Sequence, residues 1–263
     1  MSTETDASVE RQREHFNSIA ERYFAARNHA NHLALKSLIW KSFFARNPGL
    51  SGEVRRVLEP MCGMGEGYDI ITKYLKPEID YQGFDYSENM VAIARDARPG
   101  LAFSWNDVTT YDSGAEKFDL LILIGGLHHV YSQTQKVITN LARALRPGGL
   151  FVSLEPTHNN FVARAARRRI YKTNDLFDED TEQGYEYRDL QRFFENAGFR
   201  LEDQVFPGLA AYVLYYNPDA FPALNVGGTS LVRGMFACDR LAWSNVLGRK
   251  LSFATLSLWR KAE

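Results

Sequence analysis

The side chains able to do chemistry stand at the ends of apolar runs. After the uninterrupted run Phe118-Asp-Leu-Leu-Ile-Leu-Ile124 come Gly125, Gly126, Leu127 and two adjacent histidines, His128 and His129. A neutral imidazole, with an ordinary pKa of about 6.5, can take a proton from a hydroxyl, and a positioned histidine base contributes typically about 10²–10⁴ in rate. His129 is the first candidate for that role and His128 the second. Glu155, which closes the run from Leu150, is a group that can orient them. The competing reading is that one of the pair caps a helix or bonds the backbone. Three more acids close shorter runs: Glu59 after Val54–Leu58, Asp85 after Asp80-Tyr-Gln-Gly-Phe, and Asp107, beside Asn106, after Leu101–Trp105.

Glu59 opens the stretch around which the chain is organised. Pro60-Met-Cys-Gly63-Met-Gly65-Glu-Gly67-Tyr68 runs ahead of a helical pattern at Ile70, Ile71, Tyr74 and Leu75, the signature of a strand, a tight turn and a helix N-terminus. Glycine there lets the backbone approach a ligand and adopt positive φ. The dinucleotide fingerprint Gly-x-Gly-x-x-Gly, counted from Gly63, needs a glycine at position 68, and Tyr68 stands there. A pyrophosphate is therefore the weaker ligand. Asp85, about twenty residues beyond Gly65, sits where one carboxylate can hold both hydroxyls of a ribose. As an acid near a helix start it also favours the helix dipole, a reading compatible with the first.

These groups require a scaffold that brings strand ends together. The alternation of apolar runs with helical patterns predicts a doubly wound, mostly parallel seven-stranded sheet with an antiparallel last strand. Ligands of such sheets lie beyond the strand C-termini, where all the candidates fall. Apolar positions at Phe16, Ile19, Ala20, Tyr23 and Phe24 predict a helix within residues 8–27, and a second run covers His32–Ala45. We expect residues 1–50 as an N-terminal helical cap, 51–206 as the α/β core, 207–250 as an insertion, and 251–263 as the final strand. Ser87 and Ser132 are expected helix caps, and Ser252–Arg260 alternates like an antiparallel edge strand. The insertion, rich in aromatics at Tyr212, Tyr215, Tyr216, Phe221, Phe236 and Trp243, reads as a lid or substrate wall, with a homodimer interface as the structural alternative.

Taken in order, these motifs resemble the class I S-adenosylmethionine (SAM) dependent methyltransferases of the small-molecule type. Glu59 followed by Gly63 and Gly65 is similar to their cofactor loop, although Met61 stands where the family usually has its first glycine. Phe16-x-x-Ile-Ala-x-x-Tyr23 is similar to their entry helix, and Leu145-Arg-Pro-Gly-Gly-Leu-Phe-Val152 is the most characteristic local match. The resemblance implies SAM as cofactor, held by Tyr23, Glu59, Pro60, Met61, Gly63, Gly65, Asp85, Tyr86, Met90, Asn106, Asp107, Val108 and Ile124. Asn106-Asp107 would meet the adenine, though generic turn chemistry uses the same pair. The reaction implied is methyl transfer to a small molecule, with a hydroxyl oxygen as acceptor and His129 as base. N- or C-methylation of an amphipathic or lipid-like acceptor is the alternative. A nicotinamide-dependent oxidoreductase and a non-catalytic SAM-binding protein are distant ones.

Composition narrows the rest. With 263 residues, 45% of them hydrophobic, and a net charge of -1, the chain can fill one sizeable core and carries no global basic field for nucleic acid. Cys62 and Cys238 give neither a disulfide framework nor metal-ligand spacing, and no paired acids of metal-binding spacing follow the fourth strand, so no metal is expected. The polar, acidic first residues and the lack of any long apolar run point to a cytoplasmic chain with no signal peptide and no transmembrane segment. Arg164, Arg167, Arg168, Arg169 and Lys172, followed by an acidic stretch, read as a solvated face or as a basic patch for a phosphate or acidic headgroup. An anionic or amphipathic acceptor would suit the latter.

Overall fold

The apolar runs become strands and the amphipathic stretches become helices on both faces of one sheet. The computed structural model describes residues 2–157, 184–218 and 222–263, with side chains from residue 10 onward. Two long helices, α1 (Ser2–Arg27) and α2 (Ala30–Arg46), and a single turn α3 (Leu50–Glu53) precede the sheet. There follow β1 (Arg56–Pro60), α4 (Glu66–Tyr74), β2 (Asp80–Asp85), α5 (Glu88–Ala97), β3 (Ala102–Trp105), β4 (Phe118–Ile124), α6 (Thr134–Ala144) and β5 (Leu145–Pro156). The helix Tyr187–Asn196 leads into β6 (Phe199–Val205), and β7 (Ala254–Lys261) is the last strand.

The sheet order is β3-β2-β1-β4-β5-β7-β6. β1 to β5 pair in parallel, and β7 runs antiparallel to both of its neighbours. The expected edge character of the last strand is corrected here, because β7 lies between β5 and β6 and is buried at its first six positions. Its polar residues are satisfied within the protein: the hydroxyls of Thr255 and Thr157 pair at 2.8 Å, and Ser257 accepts from the Gln204 amide at 3.1 Å. Alternation there reports internal hydrogen bonding and not solvent.

β4 is buried at every position but its last, as a strand covered on both faces must be. Leu120 and Ile122 face a core shared with Leu35, Ile39, Trp40 and Phe43 of α2, while Leu121 and Leu123 face one shared with Val137, Ile138 and Leu141 of α6. The strand order reverses direction between β1 and β4, which opens a crevice at their C-terminal ends.

Two local expectations change. Ser132 caps no α-helix; it lies in a 3₁₀ turn, Leu127–Gln133, and α6 begins only at Thr134, whose hydroxyl bonds Tyr131 O and Tyr185. The aromatics of the insertion are core, not wall: Tyr215, Tyr216, Phe236 and Trp243 are buried in the same cluster as α2, and Tyr212 stacks on Tyr216 at 4.3 Å. Phe221 and the Arg164–Lys172 cluster lie outside the described residues.

Candidate active site

The crevice between β1 and β4 holds a cleft with about 930 Å³ of space free of protein atoms, a figure that includes open solvent. Its floor begins at the turn after β1. Met61, Gly63 and Gly65 have φ of 53°, 49° and 79°, so one non-glycine residue accepts the left-handed region beside two glycines. A Cβ on Gly65 would come within 2.6 Å of the Phe103 ring, whereas one on Gly63 would meet nothing within 4 Å. Gly65 is therefore required by packing, and Gly63 presents bare backbone to open space.

Glu59 fixes this turn from below. Both of its carboxylate oxygens accept the Gly67 N–H at 2.9 Å, and Oε2 also takes a short hydrogen bond from the Tyr81 hydroxyl. The side chain is 2% exposed, and burial pushes its pKa up to about 8 against the opposing pull of these donors. Beside it, Glu66 forms an ion pair with Lys36 of α2 at 2.8 Å. Burial works to raise the Glu66 pKa, but Lys36 and Arg27 outweigh it and hold the group at about 2.

Asp85, at the tip of β2, is placed differently. Its Oδ2 accepts Gly63 N–H at 2.8 Å and its Oδ1 accepts Ser87 N–H at 2.9 Å, one backbone donor per oxygen. Each carboxylate oxygen can accept a second, so the group keeps capacity for two ligand hydroxyls. Burial raises its pKa from the ordinary aspartate value. At β3 the Asp107 carboxylate accepts the Thr109 N–H and the Thr109 hydroxyl, both at 2.8 Å. Turn chemistry is thus present, and it too leaves an acceptor site on each oxygen.

The opposite wall follows β4. Glu155, fully buried at the end of β5, accepts the backbone N–H groups of Gly126 and Leu127 at 3.0 and 2.9 Å, and its Oε2 lies 3.1 Å from His128 Nδ1. Burial lifts its pKa to about 7 against those two N–H groups. Glu155 therefore shapes the loop that carries the histidines. His129 reaches the cleft, its ring 3.9 Å from the His128 ring and edge-on to Phe16 at 4.9 Å.

Phe16 belongs to α1, which roofs the cleft with Gln12, Arg13, Phe16 and Tyr23. The roof is clasped to the start of α5: Ser87 donates to Asn17 Oδ1 at 2.6 Å, Asn17 Nδ2 donates to Glu88 at 3.1 Å, and Arg13 pairs with Glu88 at 2.8 Å. At its far end Arg27 lies 4.3 Å over the Tyr23 ring and donates to Tyr216 O at 2.7 Å.

Of the expected residues, the cleft brings together Tyr23, Glu59, Met61, Gly63, Asp85, Tyr86, Met90, Asn106, Asp107, Val108, Ile124 and His129. Pro60, Gly65, His128 and Glu155 are not part of its lining, nor is any described residue of 207–250. Sequence reasoning missed Gln12, Arg13, Cys62, Met64, Glu66 and Ser87 as lining residues. Glu66 and Cys62 lie inside the glycine turn itself and were within reach; Gln12 and Arg13 carry no motif, since only the docking of α1 puts them there.

Residues 57–149 match the family described as a methyltransferase domain. The chain carries a class I SAM-dependent methyltransferase domain. The chain is 31% identical over 111 residues to the phthiotriol/phenolphthiotriol dimycocerosates methyltransferase of Mycobacterium tuberculosis, covering 41% of this chain and 40% of that one. It is 30% identical over 102 residues to the fatty-acid O-methyltransferase of Mycolicibacterium smegmatis, covering 38% and 36%. The chain thus spans about two fifths of the length of the curated relatives it matches. Its fold is similar to that of the cyclopropane synthase MmaA2 from Mycobacterium tuberculosis, with a TM-score of 0.57 and 13% identity over 83% of this chain and 84% of that one.

SAM is the methyl donor this domain implies, and the cleft suits it. Bare backbone at Gly63, spare accepting capacity on Asp85, and the apolar side chains Met61, Met90, Val108 and Ile124 match a ligand with a diol and a flat base. No helix among the described residues is long and apolar enough to cross a membrane.

Proposed function

We propose that the protein transfers a methyl group from SAM to the hydroxyl oxygen of a small acceptor with an extended apolar body, and that His129 is its general base. The observation that carries this reading is the position of His129, the histidine of the pair that enters the cleft, on a loop whose backbone is held by buried Glu155. When bound, SAM supplies an electrophilic methyl carbon. The chain's part is then to align the acceptor and receive its proton. Asp85 would hold the ribose hydroxyls, Asn106 and Asp107 would meet the adenine, and the Gly63 backbone would lie along the methionine portion. The His129 imidazole would accept the hydroxyl proton as the acceptor oxygen takes the methyl group, whose bond to the sulfonium sulfur breaks to leave the neutral thioether S-adenosylhomocysteine. Phe16, edge-on to the imidazole, restricts its tilt and shields the site from water.

Two relatives named for phthiotriol dimycocerosates and for a fatty acid support an apolar acceptor. Cys238, exposed and free, fits a reducing, cytoplasmic setting. Offering SAM labelled in its methyl group together with fractionated lipid extracts, and following the mass increase of one methyl, tests the reading. His129→Ala should lower turnover by about 10²–10⁴ while leaving SAM affinity nearly unchanged. Equal turnover in that variant would remove the base and move the acceptor to nitrogen or carbon.

A further inference from the structure

The exposed apolar side chains are unevenly distributed. Of the eleven large hydrophobic residues that stand exposed among the described residues, seven fall between Leu224 and Leu251. The densest group is Leu241 (83% exposed), Val246 (55%), Leu247 (57%) and Leu251 (50%). These four are held outward by a built scaffold. Trp243, buried in the core, anchors the segment, and its carbonyl accepts Phe206 N–H at 2.8 Å. The Asn245 side chain accepts the N–H groups of Leu247 and Gly248 at 3.0 and 3.1 Å and donates to Leu241 O at 2.8 Å, which ties the two leucines together. Leu247 and Leu251, four apart in the helix Val246–Leu251, share one face of it.

Charge is uneven in the same place. Residues 222–251 carry Arg233, Arg240, Arg249 and Lys250 and a single acid, Asp239, which is buried and accepts Ala211 N–H. A chain of net charge -1 thus places four cations and one acid in the segment that holds its most exposed leucines, with Arg249 lying 5.3 Å over the Tyr187 ring. Leucines rimmed by Lys and Arg are the composition of a surface that sits in the headgroup layer of an anionic bilayer. Topology gives the orientation. β6 ends at Val205 and β7 begins at Ala254, opposite Pro156 at the end of β5, so this connection leaves and returns at the sheet edge where the cleft lies.

We propose that Leu241, Val246, Leu247 and Leu251, with Arg240 and Lys250, form a docking surface for a lipid bilayer that carries anionic headgroups. The apolar side chains enter the boundary between headgroups and acyl chains while the cations meet the phosphates, and the cleft edge is thereby turned toward the membrane. The inference stands on exposure and charge and does not require any particular acceptor.

Flotation of the full chain with vesicles tests it without an activity assay, so its failure is separate from any failure of the proposed reaction. The protein should float with vesicles of phosphatidylcholine mixed with phosphatidylglycerol and remain behind with phosphatidylcholine alone. Leu241→Ser/Leu247→Ser/Leu251→Ser should abolish flotation. Arg240→Glu/Lys250→Glu should weaken it roughly twentyfold or more, since each basic residue near an anionic surface is worth about a fivefold change in partition. All five substituted residues are exposed, and melting curves matching the wild type would confirm that both variants fold. Absence of flotation, or flotation indifferent to headgroup charge and to both variants, overturns the proposal. So does light scattering that shows a dimer dissolved by the triple serine variant without any vesicle binding, because a second copy would then cover the patch.

Discussion

The acids beneath the cleft and the acids at its rim occupy the same place in the topology and do different things. Glu59 and Glu155 end β1 and β5, are buried at 2% and 0% exposure, and direct their carboxylates at backbone N–H groups of the adjacent loops. Asp85 ends β2 and Asp107 follows β3; they line the cleft, as Glu59 also does from its floor, but keep accepting capacity on every oxygen. One pair builds the loops and the other pair is offered to a ligand. A carboxylate at a strand end is therefore a position, and its role is decided by whether two donors from the protein converge on one of its oxygens, as they do in Glu59 and Glu155, or one donor reaches each, as in Asp85 and Asp107.

The largest effect that would sharpen this contrast is on stability. Glu59→Ala removes the acceptor for Gly67 N–H and the Tyr81 hydroxyl in a buried site, and should cost about 3 kcal/mol or more in chemical denaturation. Loss of the turn should take SAM binding with it. A variant of unchanged stability that lost only SAM affinity would place Glu59 among the ligand-facing acids and break the division.

A pH effect comes next. A carboxyl whose folded pKa stands above its unfolded one binds its proton more tightly in the folded state. The Glu59 contribution is therefore complete below about pH 4.5 and is lost as pH rises through about 8. The stability difference between wild type and Glu59→Gln should shift against the wild type across that window, as melting temperatures measured along it would show. A difference independent of pH would mean that the buried carboxyl is ionised throughout. Smallest of the three, Tyr81→Phe removes one hydroxyl from the same cluster and should cost about 1 kcal/mol in the same denaturation assay, with the fold retained.

The sequence carried the sheet well because each strand is an apolar run and each helix of the core an apolar stripe, and Ser87, whose hydroxyl accepts Met90 N–H at 3.1 Å, was visible as a cap. The division between the two kinds of acid was not visible. It depends on Gly67 folding back over Glu59 and on Tyr81 projecting from a neighbouring strand, contacts set in three dimensions. The cleft roof was half legible: Phe16 and Tyr23 lie on the stripe of α1, but Arg13 and Gln12 reach the cleft only because Asn17 docks that helix on α5. The insertion was misjudged for a related reason. An aromatic cluster looks the same in sequence whether it walls a pocket or, as here, packs on Trp40 and Phe43 of another helix.

Calorimetric titration of SAM into the wild type and into Asp85→Asn tests the central claim most directly. The cleft at Asp85 should bind SAM in the wild type and lose tenfold or more in affinity in the variant, because charged hydrogen bonds of about 1.5–3 kcal/mol each are weakened. Equal SAM affinity in both proteins, or heat released with NADH and none with SAM, would contradict it.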